Sequence, residues 1–208
     1  MSAVATVTAP TRPAMREIDE ERLETDLPYR VAYLAEFVGM TPADWDAVRD
    51  SGSVLGPVVD SLVDAVYEKL WKYESTQRHF RRPGSGFKEP VAEDIMTLDH
   101  PYVQFRKERL RKYLVRLVSG EYDDKFVSYL DWAGKIHTSQ AGVKEIEVPL
   151  VQMNALMGFV AAAVVSTLWD RSPNDATRRR YVEAWNKLLW LQNDLISRHY
   201  AGRPCSCN

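Results

Sequence analysis

The spacing of apolar residues is the feature that most constrains the fold of this 208-residue chain. Along most of its length, apolar side chains recur three and four positions apart, which is the period of one face of an α-helix. Alternating apolar and polar runs bounded by tight Gly or Asn turns, which are typical of half-buried strands, are nearly absent. The sequence therefore predicts an all-α protein.

The composition predicts one globular domain without a nucleic-acid or membrane partner. Hydrophobic residues make up 45% of the chain, and the 27 basic and 29 acidic residues are mixed along it. Residues 1–26 are rich in Ala, Thr, Pro and charge and lack the apolar region of a secretory signal. We therefore expect a disordered lead-in to a cytoplasmic protein, followed by a domain at 27–200 and a flexible tail at 201–208.

Capping patterns mark where helices begin. The stretches "TPAD" at 41–44 and "SPND" at 172–175 each place a Thr or Ser N-cap before Pro, with Asp three residues after the cap. The apolar run "ALMGFVAAAVVSTLW" at 155–169 is shorter than the ~20 residues that a membrane span needs, so it predicts a buried core helix. The predicted helices cover about 29–38, 42–50, 54–73, 99–118, 123–137, 149–169 and 173–200.

The chain contains two cysteines, Cys205 and Cys207, one residue apart at its end. Two thiols on a terminal tail provide at most half of a tetrahedral metal site and no structural framework. We expect a mobile tail, with adventitious metal or redox chemistry as the alternative.

His137 occupies a position where an apolar residue is expected. Counting back by four, seven and eleven residues gives Ala133, Leu130 and Phe126, so the imidazole shares a helix face with residues that must be buried. Such a histidine is either a core residue that donates to a carbonyl or a metal ligand. No second His, Cys or acid stands at ligand spacing, which argues against zinc but suits a haem iron, whose equatorial ligands come from the porphyrin.

Two stretches resemble the protoglobin and globin-coupled-sensor branch of the globin superfamily. They are "YLDWAGKIHTSQAGVKEIEVPL" at 129–150 and "AWNKLLWLQNDLISRHY" at 184–200, and the similarity extends over about residues 27–200. The resemblance implies a globin fold with an extra helix ahead of the usual first one. It also implies haem b as the cofactor, with His137 as the proximal ligand of the iron.

The same resemblance implies a distal tyrosine. "LVDAVYEKLW" at 62–71 places Tyr67 at the matching position, where its hydroxyl would donate to a diatomic ligand at the haem. Taken alone, a Tyr on an apolar helix face is most often a core residue with a hydrogen-bonded tip. The family often has an aromatic residue just before this tyrosine, whereas this chain has Val66, so the usual ligand gating is in doubt.

Further residues fall where the family surrounds the porphyrin, although ordinary core packing explains most of them equally well. The resemblance places Val103 and Arg106 near the pocket, and the Arg106 guanidinium suits a haem propionate. Of the remaining histidines, His100 is the most plausible second axial ligand. The residues expected against the porphyrin faces are Leu70, Phe80, Leu110, Leu114, Leu156 and Phe159.

The resemblance implies reversible binding of a diatomic gas, O2 and also CO or NO, for transport or sensing. The alternatives are a haem enzyme of the peroxidase, NO dioxygenase or nitrite reductase type, and a sensor that acts through a separate protein. The chain ends at Asn208 without an output domain, so we expect a stand-alone protoglobin.

Related globins dimerise through their last two helices. A homodimer is expected here because these helices have more apolar residues than one buried face uses: Trp169, Trp185, Leu188, Trp190 and Leu191.

Overall fold

The computed structural model describes residues 15–81, 86–87, 96–141 and 146–201, and every regular element within these ranges is helical. Single 3₁₀ turns occur at Gly56–Val58, Arg78–Phe80, Ser139–Ala141 and Arg198–Tyr200. The all-α prediction is confirmed for this part of the chain. The α-helices are α1 (Glu20–Thr25), α2 (Leu27–Phe37), α3 (Pro42–Asp50), α4 (Gly52–Leu55), α5 (Val59–Trp71), α6 (Glu74–Gln77), α7 (Pro101–Ser119), α8 (Asp124–Lys135), α9 (Leu150–Arg171) and α10 (Asp175–Ser197).

One of the two predicted helix starts is confirmed and the other is displaced. The Asp44 amide donates to the Thr41 hydroxyl, and the Thr41 amide donates to the Asp44 carboxylate at 2.8 Å, which forms a capping box. At the second site, Ser172 still closes α9, because its N–H bonds to the Leu168 carbonyl. Asn174 caps α10 instead, since its side chain accepts from the Thr177 amide at 2.9 Å.

The predicted helix at 54–73 is interrupted. The chain forms α4, then the 3₁₀ turn Gly56–Val58, and only then α5. Pro57 explains the break, because proline lacks the N–H that an interior helical position needs and its ring clashes with the carbonyl four residues earlier. The interruption leaves α5 as the helix that places Tyr67 and Val66 in the core.

Helix α10 lies at the centre of the fold and packs on α9, α3, α8 and α2. Its Trp185 is buried, and its indole N–H donates to the Ser51 hydroxyl at 2.7 Å. Leu188 and Leu191 are buried in the same way. Three of the five apolar residues expected to need a further surface are therefore covered within the chain, whereas Trp169 and Trp190 are 57% and 63% exposed.

Helix α9 is not the buried core helix that its composition suggests. It is 22 residues long, and its most apolar 18-residue window has a mean hydropathy of 1.6, enough to cross a membrane by length and composition alone, a test that core helices of soluble proteins also pass. Yet only 11% of its most apolar window is buried within the chain. Its neighbours α10, α4 and α5 cover one side only, where Met153, Val164 and Leu168 are buried. The other side carries apolar surface that no described residue covers.

The N-terminal part of the described chain is helical from Glu20. Helix α1 falls inside the 1–26 segment that the composition predicts to be disordered, and Asp19 caps it by accepting from the Arg22 amide at 2.9 Å. The domain boundaries remain predictions. Residues 1–14, Cys205 and Cys207 lie outside the described residues.

Candidate functional site

His137 lies just beyond the end of α8, whose C-cap is Ile136, so the helix ends two residues earlier than predicted. Phe126 and Leu130 on the same face are buried. The Nδ1 atom of His137 lies 2.8 Å from the Ala133 carbonyl oxygen. Because a carbonyl oxygen only accepts, Nδ1 must carry the proton, and a neutral ring then has its lone pair on Nε2.

The electrostatic surroundings keep His137 neutral. Burial of the ring lowers the pKa of His137 to about 4, and the positive charge of Arg106 acts in the same direction. Among the described residues, Nε2 has no hydrogen-bond partner, whereas Nδ1 uses its proton on the backbone. Nδ1 is therefore hydrogen-bonded, as in a core histidine. Nε2 keeps a lone pair, as a metal ligand requires.

The segment after His137 is fixed by the turn that follows α10. The Val148 amide donates to the His137 carbonyl at 2.9 Å, and the Tyr200 hydroxyl donates to the Val148 carbonyl at 2.8 Å. The Gln140 side chain donates to the His199 carbonyl at 3.2 Å. These bonds hold Gln140 and Val148, which both follow His137 in the chain, against the turn Arg198–Tyr200.

Helix α8 itself is held close to α10. Asp131 accepts from Arg198 at 2.8 Å and lies 2.9 Å from Nε2 of His199, and all three side chains are largely buried. At Gly134 the two helices approach so closely that a Cβ would lie 2.8 Å from the Cα of Ile196. Only glycine allows this approach, three residues before His137.

Tyr67 lies on α5 and is 4% exposed. Its ring centroid lies 5.8 Å from that of Phe80. Burial raises the pKa of Tyr67 to about 12, against the opposing effects of the Arg106 charge and of its hydrogen bond to the hydroxyl. The hydroxyl is therefore protonated at neutral pH and able to donate.

Arg106 on α7 connects the two walls of the site. Its guanidinium carbon lies 5.9 Å from the Phe80 ring centroid, and its charge acts on both Tyr67 and His137. The structure thus brings together four of the residues predicted for the site, contributed by α5, α7, the turn Arg78–Phe80 and the end of α8.

The remaining predicted site residues are less closely tied to this group. Leu114 lines a small apolar cavity of about 30 Å³ with Val59, Val164 and Trp185, and neither Tyr67 nor His137 contributes to its lining. The Lys69 ammonium lies 5.8 Å from the Phe159 ring centroid. Val103 is fully buried in the hydrophobic core. The partly buried residues that pack against this core are Leu70, Leu110, Leu156 and Phe159.

His79 precedes Phe80 in the sequence, which assigns it no role at the iron. Its Nε2 lies 3.0 Å from the Gln152 amide oxygen, and its charge acts on His137. His100, expected as the rival axial ligand, instead caps α7, because its Nδ1 accepts from the Tyr102 amide at 3.1 Å.

The donor set fits a haem. No group of three or more His, Cys, Asp or Glu side chains suited to a metal ion occurs in the part of the chain that the structure describes. A metal at Nε2 of His137 would find no such group among those residues, whereas a porphyrin brings four ligands of its own. The neighbouring rings of Tyr67 and Phe80 are suited to a flat apolar macrocycle.

Comparisons with known proteins identify the family and the fold. The model of the family described as Protoglobin matches residues 27–203. The fold is similar to that of the globin domain of the Geobacter sulfurreducens globin-coupled sensor, with a TM-score of 0.66 and 20% sequence identity over 82% of this chain and 97% of that chain. At this identity the match shows the fold alone, which is the globin fold. No curated protein matches the chain.

Proposed function

The chain belongs to the protoglobin family, which implies a haem-binding globin, and from this premise we propose that it reversibly binds a diatomic gas with His137 as the proximal iron ligand. The single observation that carries the proposal is a neutral imidazole whose Nδ1–H donates to Ala133 and whose Nε2 has no hydrogen-bond partner among the described residues. Haem would supply an iron with one open axial position, where O2, CO or NO binds.

The protein's own residues orient and enclose that position. The bond from His137 to Ala133 fixes the ring orientation and raises the basicity of Nε2. The protonated hydroxyl of Tyr67 faces the site as a donor for the gas. From the family alone, we also propose an apolar lining that excludes water, formed by Leu70, Phe80, Val103, Leu110, Leu114, Leu156 and Phe159.

The proposal is tested by substituting the predicted ligand. We expect His137→Ala, expressed in cells supplied with porphyrin, to lose the Soret band, and added imidazole to restore part of it by replacing the missing ligand. His79→Ala is the matched control, since it removes a neighbouring half-buried histidine that is not the predicted ligand. A His137→Ala protein as red as the parent, with an unaltered Soret band, would disprove the assignment.

We further propose that the protein is a homodimer formed through α9 and α10. The exposed side of α9 carries a row of small residues, Ala155, Gly158, Ala162 and Ser166, between Val151 and Trp169. Small side chains allow two helices to approach closely, and Trp169 and Trp190 add large apolar surfaces. A second copy of the chain offers the same surface, so a two-fold interface would cover both at once.

A further inference from the structure

Helix α1 is held on the protein with few apolar contacts. Of its six residues, Leu23 is half-buried and the other five are exposed. Within the described chain, α1 adds no side chain to the hydrophobic core, and α2, which follows it, has no buried residue. Segments with few buried apolar contacts open at a low cost in free energy. Polar contacts therefore decide whether α1 stays in place.

Two arginine side chains hold the C-terminal end of α1. Arg30 donates to the Leu23 carbonyl at 3.2 Å and to the Glu24 carboxylate at 3.1 Å, and it binds Asp194 of α10 through two nitrogens at 2.6 and 2.8 Å. Arg198 donates to the Glu24 carbonyl at 3.2 Å. The last carbonyls of a helix have no partner within it, so the arginines satisfy acceptors that would otherwise need water. Both arginine side chains are less than one fifth exposed, which makes these bonds stronger than those of surface pairs.

Arg198 also binds the helix that leads to His137. One of its terminal nitrogens donates to Asp131 of α8 at 2.8 Å, while the other donates to the Glu24 carbonyl of α1. Asp131 lies six residues before His137, on the helix that ends just before this histidine. A guanidinium is planar and rigid, so its two bonds constrain each other. When α8 shifts, the bond to the neutral Glu24 carbonyl is lost first, because the bond to the carboxylate is the stronger of the two.

We propose that α1 is a latch whose release is coupled to ligand binding at the predicted haem site. The inference rests on the proposed function, because it takes His137 as the iron ligand. A displacement of His137 moves the end of α8, since a packed helix shifts as a rigid element. Arg198 then holds either Asp131 or Glu24 but not both, and α1 has no apolar contact strong enough to keep it in place. Occupancy of the iron is thereby converted into a change at the surface of the protein.

The test measures the opening of α1 by limited proteolysis of the ferrous haem-loaded protein. Arg22 lies within α1 and is exposed, and trypsin cleaves after it when the helix opens. We expect saturating CO to change the initial rate of this cleavage, followed by mass spectrometry, by about five-fold. In Arg198→Met, cleavage after Arg22 should be faster than in the parent and equal with and without CO, because the link from α8 to α1 is lost.

Two further variants separate coupling from loss of stability. Arg180→Met is the matched control: it removes an arginine that joins α10 to Asp50 of α3 at 2.9 Å, and it should leave the cleavage rate and its CO dependence as in the parent. Arg198→Lys keeps a charge beside Asp131 but lacks the planar fork that also reaches Glu24. We therefore expect the CO dependence of Arg198→Lys to fall below about two-fold.

The outcomes separate this inference from the proposed function. A parent whose Soret band shifts with CO, but whose cleavage after Arg22 is the same with and without CO, overturns the latch and leaves the proposed function intact. The same CO dependence in the parent and in Arg198→Lys, or equal changes in Arg198→Met and Arg180→Met, would also overturn the latch. If Arg198→Met does not fold, Arg198→Lys decides the matter alone. A parent protein that takes up no haem refutes both proposals.

Discussion

At residue 137, the two nitrogens of one imidazole have different surroundings. Nδ1 donates to the Ala133 carbonyl, one of the last carbonyls of α8 that have no partner within the helix. Nε2 has no such partner among the described residues. The interpretation as a core histidine and the interpretation as a ligand therefore do not exclude each other, because each describes one nitrogen.

Tyr67 offers a prediction at the same scale. Replacing Tyr67 with Phe keeps the ring against Phe80 but removes the donor, and a hydrogen bond of this kind is worth about 0.5–1.5 kcal/mol. We expect the O2 dissociation rate, measured by stopped flow, to rise several-fold. Tyr113→Phe removes a different buried hydroxyl, one beside Tyr129, and should leave the rate nearly unchanged. An unaltered rate in Tyr67→Phe would remove Tyr67 from the distal role.

At the scale of elements, the contact between α8 and α10 sets the position of His137. Asp131, Arg198 and His199 join the two helices, and the bonds of Gln140 and Tyr200 fix the loop that follows. His137, the predicted proximal residue, is thus placed by the last turn that the structure describes, which is far from it in sequence.

Gly134 is the position where this contact is most sensitive. In Gly134→Ala, the new Cβ meets the Ile196 Cα at 2.8 Å and the Leu195 carbonyl oxygen at 2.9 Å, both backbone atoms that cannot rotate away. We expect a loss of about 1–3 kcal/mol in the free energy of unfolding from overpacking, measured by urea denaturation. Ser128→Ala on the exposed side of α8 should change it by less than about 0.5 kcal/mol. Equal free energies of unfolding for the two variants would contradict the close contact of α8 and α10 at Gly134.

At the scale of the whole molecule, the exposed side of α9 predicts that the protein forms a homodimer. A Cβ at Gly158 meets no atom within 4 Å in the single chain, so Gly158→Gln should not disturb the monomer. In a dimer the same side chain would prevent close approach of the two α9 helices. We expect sedimentation to show a dimer for the parent at micromolar concentration and a shift towards monomer for Gly158→Gln, with Ser128→Gln as the exposed control. A parent protein that is monomeric under these conditions would contradict the proposed interface.

Much of the architecture could be predicted because helical spacing and capping are local properties. The capping box at Thr41 and Asp44 depends on residues three apart, and it forms as the sequence suggests. The start of α10 was misplaced because Ser172 and Asn174 are both good N-caps, and only the end of α9 decides between them. The site residues named from the family resemblance remain predictions until haem binding is measured.

The sequence by itself determined the helical class, the family and the imidazole at 137, since each is expressed in neighbouring residues or in a contiguous motif. Only the tertiary structure decided which apolar residues are covered and which charges meet. Trp185 and Trp190 stand five positions apart on one helix, yet one is buried and the other is not. The family resemblance places Arg106 near the pocket, but its effect on the pKa values of both Tyr67 and His137 requires α5, α7 and the end of α8 to converge. Such a juxtaposition depends on packing between distant segments, and no local pattern encodes it.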